Sequence, residues 1–217
     1  MTIQVLDSPD PRHVAAKIDS LVFDGLRAAI LYISPINLQG DKTAKKPAIE
    51  TILAAGVDVG FVCEGWGGSS NFSHHDINAV CGTRDGATCG HWLDQLGAPE
   101  GTAVYPTVDN DASAAQISAL CLPYFKAFRA ALPTKWRMGA YGCGALLEAL
   151  DQAQLLDFRW LSNARGWNGS RTYRATNKWD ILQGLETRVD GIDVDPDQLN
   201  PAKTDFGFWR GVHTPAV

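Results

Sequence analysis

The chain has 217 residues, of which 45% are hydrophobic and 20% are charged, a balance typical of a folded protein with one large core. We therefore expect a single domain over residues 1–217. The formal net charge of −5 argues against a nucleic-acid partner, because phosphate binding depends on clustered Lys and Arg side chains. No apolar run approaches the roughly 18 residues of a membrane helix, so we expect no membrane partner.

The first residues, MTIQVLDSPDP, have neither the basic start nor the apolar centre of a signal peptide. This absence predicts a cytoplasmic protein in the producing cell. An extracellular target would then be reached through cell lysis, injection by a secretion device or transport on a phage particle.

Strand-like and helix-like segments alternate through the first two thirds of the chain. The apolar patterns predict, in order, a strand at 3–6, a helix at 14–22, a strand at 28–33, a helix from about 47 to Gly56 and a strand at 57–63. A Gly-, Ser- and Asn-rich insertion at 65–83 is typical of a loop over a site. The pattern then predicts a helix at 85–96, a strand at 102–108, a helix at 112–132, a strand at 137–141, a helix at 145–154 and a strand at 158–161.

The last quarter carries strand patterns at 178–183 and 189–194 and no clear helix. Such alternation of strands and helices predicts a mainly parallel sheet, which either closes into a barrel or stays open and doubly wound. No GxGxxG follows the first strand and no GxxxxGKS/T occurs, so nucleotide binding is unsupported and we expect no cofactor.

Acidic residues follow several of the predicted strands, and they are Asp7, Glu64, Asp109, Asp111 and Asp195. Asp109 and Asp111 end the segment AVYPTVDND, and in an extended backbone their side chains would share one face at a spacing of roughly 6 to 7 Å. Where carboxyl groups crowd in a half-dry cleft, one stays protonated as a general acid and another serves as base or nucleophile. These five residues are therefore candidate catalytic groups for cleaving a glycosidic bond.

Asp111 also has a structural interpretation. It directly precedes the helix predicted from residue 112, where an aspartate N-cap stabilises a helix by about 1 kcal/mol. Asp111 could therefore be either a helix N-cap or a catalytic group, and the sequence does not decide between the two roles. We predict no metal site, since Cys81, Cys89 and His91 match no common zinc-ligand spacing.

Aromatic and amide side chains near the same ends of the predicted strands are candidates for substrate binding. Aromatic rings offer large apolar faces on which sugars can stack, and their polar tips can form hydrogen bonds. The candidates are Trp66, Tyr141, Trp160, Asn163 and Trp179.

Eight segments spread over nearly the whole chain are VLDS, AAILYIS, AAGVDVGFVCEGW, GTRDG, LGAPEGTAVYPTVDND, MGAYGCG, WDILQ and VDGIDVDPDQLN. Together they resemble a glycoside-hydrolase-like domain family of unknown function that is related to the glycoside hydrolase family 25 lysozymes. The resemblance implies an α/β fold, a single-domain TIM-like (β/α) barrel with helices reduced in the C-terminal third. It also implies an acidic pocket at the C-terminal mouth and lysozyme-like hydrolysis of bacterial cell-wall glycan.

By position, the resemblance places Asp7, Asp109 and Asp195 at aspartates of the family's pocket, with Asp109 as the first carboxylate of a fourth-strand DxE motif. This chain has Asp111 where the lysozymes have the glutamate expected to act as the acid. Glu64 is then another candidate for that acid. The same departure leaves an alternative open, a catalytically inactive barrel that binds cell-wall glycan or a protein partner at its mouth.

Overall fold

The computed structural model describes residues 4–8, 10–33, 43–64 and 77–212. The strands are β1 (Val5–Ser8), β2 (Ala28–Ile33), β3 (Asp58–Cys63), β4 (Ala103–Pro106), β5 (Arg137–Gly142), β6 (Phe158–Leu161), β7 (Ile181–Gln183), β8 (Thr187–Val189) and β9 (Ile192–Leu199). The helices are α1 (Pro11–Ala16), α2 (Ile18–Phe23), α3 (Lys46–Ala54), α4 (Ala79–Leu96), α5 (Ala114–Gln116), α6 (Leu122–Ala131), α7 (Gly144–Gln152) and α8 (Ser170–Thr176). Among these described helices, none is long and apolar enough to cross a membrane.

Eight of the strands close into a barrel. Strands β1 to β7 run parallel in sequence order, and β9 pairs antiparallel with both β7 and β1 to complete the circle. Strand β8 pairs with β9 as a short antiparallel hairpin outside the circle. The α/β barrel expected from the sequence is therefore confirmed, and its closing strand runs opposite to the other seven.

Alternate residues of each strand point into the barrel or outward to the helices, as the pleat of a β-strand requires. Ile30, Tyr105, Phe158 and Trp160 belong to the apolar cluster inside the barrel, while the outward residues form a larger core with the helices. Gly139 leaves room for the Tyr105 ring, because a Cβ atom at Gly139 would lie 2.3 Å from that ring. The interior below the mouth is thus packed with side chains.

The segment after β9 covers the N-terminal end of the barrel. Phe206 and Phe208 join the interior cluster, and the Tyr105 hydroxyl donates a hydrogen bond to the Phe206 carbonyl oxygen at 2.6 Å. Arg210 Nη1 lies 2.8 Å from Asp58 Oδ2 at the start of β3. These contacts leave the C-terminal mouth as the end of the barrel where polar strand termini meet a cavity.

Four helical segments differ from the predicted ones. The helix predicted at 85–96 begins earlier, at Ala79, within the segment predicted as a loop. The helix predicted at 14–22 is two helices, α1 and α2, divided at Lys17. Within 112–132, a π-helical turn at Ile117–Cys121 joins α5 to α6, next to Pro123, which lacks the N–H that an α-helix would bond to residue 119. Helix α8 was not predicted, because Tyr173 is its one buried large apolar residue and the sequence shows no helical apolar stripe.

Candidate active site

A cavity of about 250 Å³ opens at the C-terminal ends of the parallel strands. Its lining includes the carboxyl-bearing residues Asp7 of β1, Glu64 after β3, Asp109 after β4 and Asp195 of β9. Four of the five candidate catalytic residues thus lie around one space, because the ends of neighbouring barrel strands face a common mouth.

Asp195 reaches this mouth by a route that differs from the predicted one. The sequence pattern predicts Asp195 at the carboxyl end of the last strand of a mainly parallel sheet, and that prediction is wrong. Asp195 lies in the middle of the antiparallel strand β9 and pairs directly opposite Asp7 in the register of β1 and β9. Because β9 runs the other way, its first half, rather than its end, meets the rim formed by its parallel neighbours.

The amide of Gln183 links the acidic groups. Its Nε2 atom donates a hydrogen bond to Asp195 Oδ2 at 3.0 Å and lies 3.4 Å from Asp7 Oδ2. Its Oε1 atom accepts a hydrogen bond from the Tyr141 hydroxyl at 2.7 Å, and the same hydroxyl lies 3.2 Å from Asp109 Oδ1. One side chain at the end of β7 therefore orients groups that come from β1, β5 and β9.

Burial and mutual repulsion alter the protonation of these acids. Burial raises the pKa of Asp7, which is 3% exposed, and the negative charges of Asp195 and Glu64 raise it further, against the opposing hydrogen bond from Gln183. The pKa of Asp195 is raised by burial, by the charge of Glu186 and by the charge of Asp109. Both groups therefore hold a proton to higher pH than an exposed aspartate does.

Asp197 is a buried acid that lies two residues beyond Asp195 along β9, on the same face of the strand. Trp160 Nε1 donates a hydrogen bond to Asp197 Oδ1 at 2.9 Å, while Asp197 Oδ2 is buried without a hydrogen-bond partner in the described part of the chain. Burial and the charge of Asp7 raise the pKa of Asp197. A protonated Asp197 is consistent with this environment, because an unpaired carboxylate would be costly there.

Asp111 lies apart from the cavity. Strand β4 ends at Pro106, so the extended geometry that would have aligned Asp109 with Asp111 does not continue. The Asp111 Oδ1 atom instead accepts a hydrogen bond from the backbone N–H of Asn168 at 2.6 Å. The N-cap interpretation of Asp111 is also wrong, because Ser113 is the N-cap of α5.

The candidate substrate-binding residues divide into three groups. Tyr141, Trp160 and Asn163 line the cavity. Trp179 does not, because it precedes β7 at the opposite end of the barrel and is buried in the outer core. Trp66 lies outside the described residues.

The cavity also contains side chains that were not among the candidates. They are Tyr32, Val62, Thr107, Ala164, Trp167 and Gln183. Tyr32 and Thr107 each lie two residues beyond an inward-facing residue of the same strand, Ile30 and Tyr105. Both lie within the predicted strands at 28–33 and 102–108, so applying the two-residue alternation along each strand would have identified them.

Residues 19–205 match the family model described as Rv2525c-like, glycoside hydrolase-like domain. Among curated proteins, the uncharacterized protein YbfG of Bacillus subtilis is 28% identical over 162 residues, which cover 68% of this chain and 22% of YbfG. The chain therefore spans about a fifth of the length of that relative.

Solved structures share the fold at low identity. Rv2525c of Mycobacterium tuberculosis, in complex with L-tartrate, has a TM-score of 0.75 at 20% identity, over 96% of this chain and 100% of Rv2525c. The Bacillus cereus spore cortex-lytic enzyme SleL has a TM-score of 0.52 at 10% identity, over 92% of this chain and 55% of SleL. Rv2525c is a Tat-secreted protein, which contradicts the cytoplasmic location expected from the sequence, so that expectation is withdrawn.

Proposed function

Because this chain belongs to the Rv2525c-like, glycoside hydrolase-like domain family, we propose that it hydrolyses bacterial cell-wall glycan in the acidic cavity at its barrel mouth. The observation that carries this proposal is the set of four carboxyl-bearing residues around one cavity of about 250 Å³. The fold is shared with a spore cortex-lytic enzyme, which supports a cell-wall substrate. Secretion of Rv2525c is consistent with an action outside the cytoplasm.

The two catalytic roles follow from the environments of Asp195 and Asp109. Asp195 is half-buried and has a raised pKa, so it is suited to protonate the oxygen of the leaving sugar. Asp109 is exposed and is connected to Asp195 through the hydrogen bonds of Tyr141 and Gln183. An exposed carboxylate is suited to act as the base or nucleophile. The charge on Asp109 raises the pKa of Asp195, which is the coupling that such a pair requires.

Asp7 and Glu64 have supporting roles in this proposal. Asp7 is almost fully buried in the cavity wall, so its role is to hold the Gln183 amide beside Asp195 rather than to contact a leaving group. Glu64 lines the same cavity and raises the pKa of Asp7 through its charge. Glu64 is therefore the alternative proton donor if Asp195 proves dispensable.

A second function is favoured by the position of Asp111. The lysozymes that the chain resembles carry an acid at this point of the fourth-strand motif, whereas Asp111 is bound to the backbone N–H of Asn168. A barrel without that acid would bind glycan at its mouth and leave it intact. Binding without cleavage is thus the specific alternative.

The experiment that separates these functions measures reducing-end release and pelleting with insoluble peptidoglycan for the same protein samples. Asp109→Asn and Asp195→Asn are the test variants, and Asp193→Asn is the matched control, since Asp193 lies on the same strand as Asp195 but is exposed and outside the cavity lining. A hydrolase releases reducing ends in the wild type and in Asp193→Asn but not in the two test variants. Pelleting without release would support the binding function, and neither activity would overturn both.

A further inference from the structure

A second and larger cavity lies beside the mouth, along strands β7 and β9. It has a volume of about 920 Å³ and is lined by residues of β7, β9, α8 and the loops around them. We call this cavity the outer groove. Asn163 and Gln183 line both the outer groove and the acidic cavity, so the two spaces adjoin each other.

Two arginines give the outer groove a charge opposite to that of the acidic cavity. Arg165, in the loop before α8, and Arg174, in α8, both line it. In the part of the chain that the structure describes, neither guanidinium pairs with a carboxylate, whereas Arg159 pairs with Asp151 at 2.7 Å. Asp197 also contributes to the lining, but its Oδ1 atom accepts the hydrogen bond from Trp160 Nε1 inside the barrel.

The remaining lining suits a sugar chain. Gln4 and Gln198 offer amide groups that can donate to and accept from hydroxyls, and Leu185 and Pro196 offer apolar surface for the faces of sugar rings. A ligand that combines hydroxyls, apolar ring faces and a carboxylate would match every part of this lining, since guanidinium groups bind carboxylates through paired hydrogen bonds.

We propose that the outer groove binds a carboxylate-bearing sugar of the same glycan strand whose neighbouring glycosidic bond lies in the acidic cavity. This inference rests on the proposed function and specifies the substrate class, an acidic rather than a neutral glycan. The acidic cavity repels a carboxylate and the arginines attract it, so the strand binds with its acid group on the side of Arg165 and Arg174. The charge difference between the two spaces thereby sets the direction and register of the strand.

The test compares two probes that differ in one group. The first is a peptide-free oligosaccharide of alternating N-acetylglucosamine and N-acetylmuramic acid, and the second is the same oligosaccharide with its carboxyl groups reduced to alcohols. Their dissociation constants are measured by calorimetry with the wild type, Arg165→Gln, Arg174→Gln and the control Arg171→Gln. Arg171 is exposed on α8 and does not line the outer groove.

We expect the acidic probe to bind the wild type about tenfold more tightly than the reduced probe, the size of a charge-assisted hydrogen bond. Arg165→Gln and Arg174→Gln should each lose most of this preference and bind the reduced probe like the wild type. Arg171→Gln should keep it. Equal binding of both probes to the wild type, or an unchanged preference in both lining variants, would overturn the inference.

The outcomes also separate this inference from the proposed hydrolysis. An acidic probe that binds through the two arginines but is not cleaved would contradict hydrolysis and leave the outer groove assigned. Cleavage of the acidic probe that is unchanged in Arg165→Gln and Arg174→Gln would contradict the assignment of the outer groove and would still support the proposed hydrolysis. Binding of a free stem peptide, with no preference for the acidic oligosaccharide, would overturn the glycan assignment.

Discussion

Gln183 donates a hydrogen bond from Nε2 to Asp195 Oδ2 at 3.0 Å, joining the last parallel strand of the barrel to the antiparallel strand that closes it. The same nitrogen lies 3.4 Å from Asp7 Oδ2. An amide nitrogen has two hydrogens and no lone pair to offer, so it fits between two carboxyl groups. The acidic cavity is thus an ordered network, and its properties can be tested one group at a time.

The pH dependence of hydrolysis should follow the protonation of Asp195. The proposed acid must carry a proton, so kcat/KM should fall as pH rises through the raised pKa of Asp195. The charge of Glu186 helps to raise that pKa, so Glu186→Gln should lower it and move the falling limb to lower pH. The measurement is a pH profile of both proteins, with the exposed Glu100→Gln as control. Identical profiles for wild type and Glu186→Gln would argue against Asp195 as the acid.

The buried Asp7 carboxyl group should lower the free energy of unfolding at neutral pH. Its pKa in the folded state is raised above the ordinary value, so the folded state binds more protons than the unfolded state between those two values. Stability is therefore lost as pH rises through this window. Asp7→Asn should raise the free energy of unfolding at pH 7 by about 0.5 to 2 kcal/mol, the usual range for relieving a functional constraint.

The gain from Asp7→Asn should shrink at pH values below the ordinary aspartate pKa, because both states are then protonated in the wild type. Urea unfolding at the two pH values measures the difference, and the exposed Asp24→Asn controls for the loss of one charge. A variant that is less stable than the wild type at pH 7 would contradict the assignment of a buried, proton-holding Asp7.

Asp111 should matter for stability more than for chemistry. Asp111→Ala removes the hydrogen bond from the Asn168 backbone N–H and should lower the free energy of unfolding by about 1 kcal/mol. Hydrolysis should stay within a few-fold of the wild type, because Asp111 does not line the cavity. Thermal unfolding and reducing-end release on the same sample measure both effects. A loss of hydrolysis as large as that of Asp109→Asn, with stability unchanged, would return Asp111 to the site.

Gly139 should resist substitution because the barrel interior is full. A Cβ atom there would lie 2.3 Å from the Tyr105 ring, so Gly139→Ala should lower the free energy of unfolding by about 1 to 3 kcal/mol. Gly166→Ala is the matched control, since nothing lies within 4 Å of a Cβ atom at Gly166. Urea unfolding of both variants checks the prediction, and equal stabilities would show that the interior can adjust at low cost.

The parallel strands of the barrel could be predicted from the sequence, because strands β1 to β6 are short apolar runs between turn signals. The ends of these strands determine the rim of the barrel. The antiparallel direction of β9 could not be predicted from the sequence. Side chains alternate with a period of two residues in both parallel and antiparallel strands, so the pattern does not reveal the direction of a strand. It predicted Asp195 at a strand end, whereas Asp195 lies in the middle of β9 and pairs with Asp7 of β1. The pairing of β9 with its neighbours depends on contacts between distant residues.

Local patterns also could not distinguish the two aspartates of the fourth-strand segment. Asp109 and Asp111 share a face only while the strand continues, and the backbone leaves the sheet after Pro106. The partner of Asp111 is Asn168, which lies 57 residues away in the chain. The bridging role of Gln183 was equally hidden, because it depends on three strands meeting at one point.

Whether the acidic cavity cleaves cell-wall glycan is tested directly by mass spectrometry of the soluble products after purified peptidoglycan is incubated with the wild type and with Asp109→Asn. Hydrolysis adds one water across the glycosidic bond, so we expect fragments with new reducing-end sugars from the wild type. The rate of their appearance should be at least about a thousandfold lower for Asp109→Asn, with unchanged glycan binding. Equal release by both proteins, or no such fragments from a wild type that binds the glycan, would contradict the claim that this cavity cleaves it.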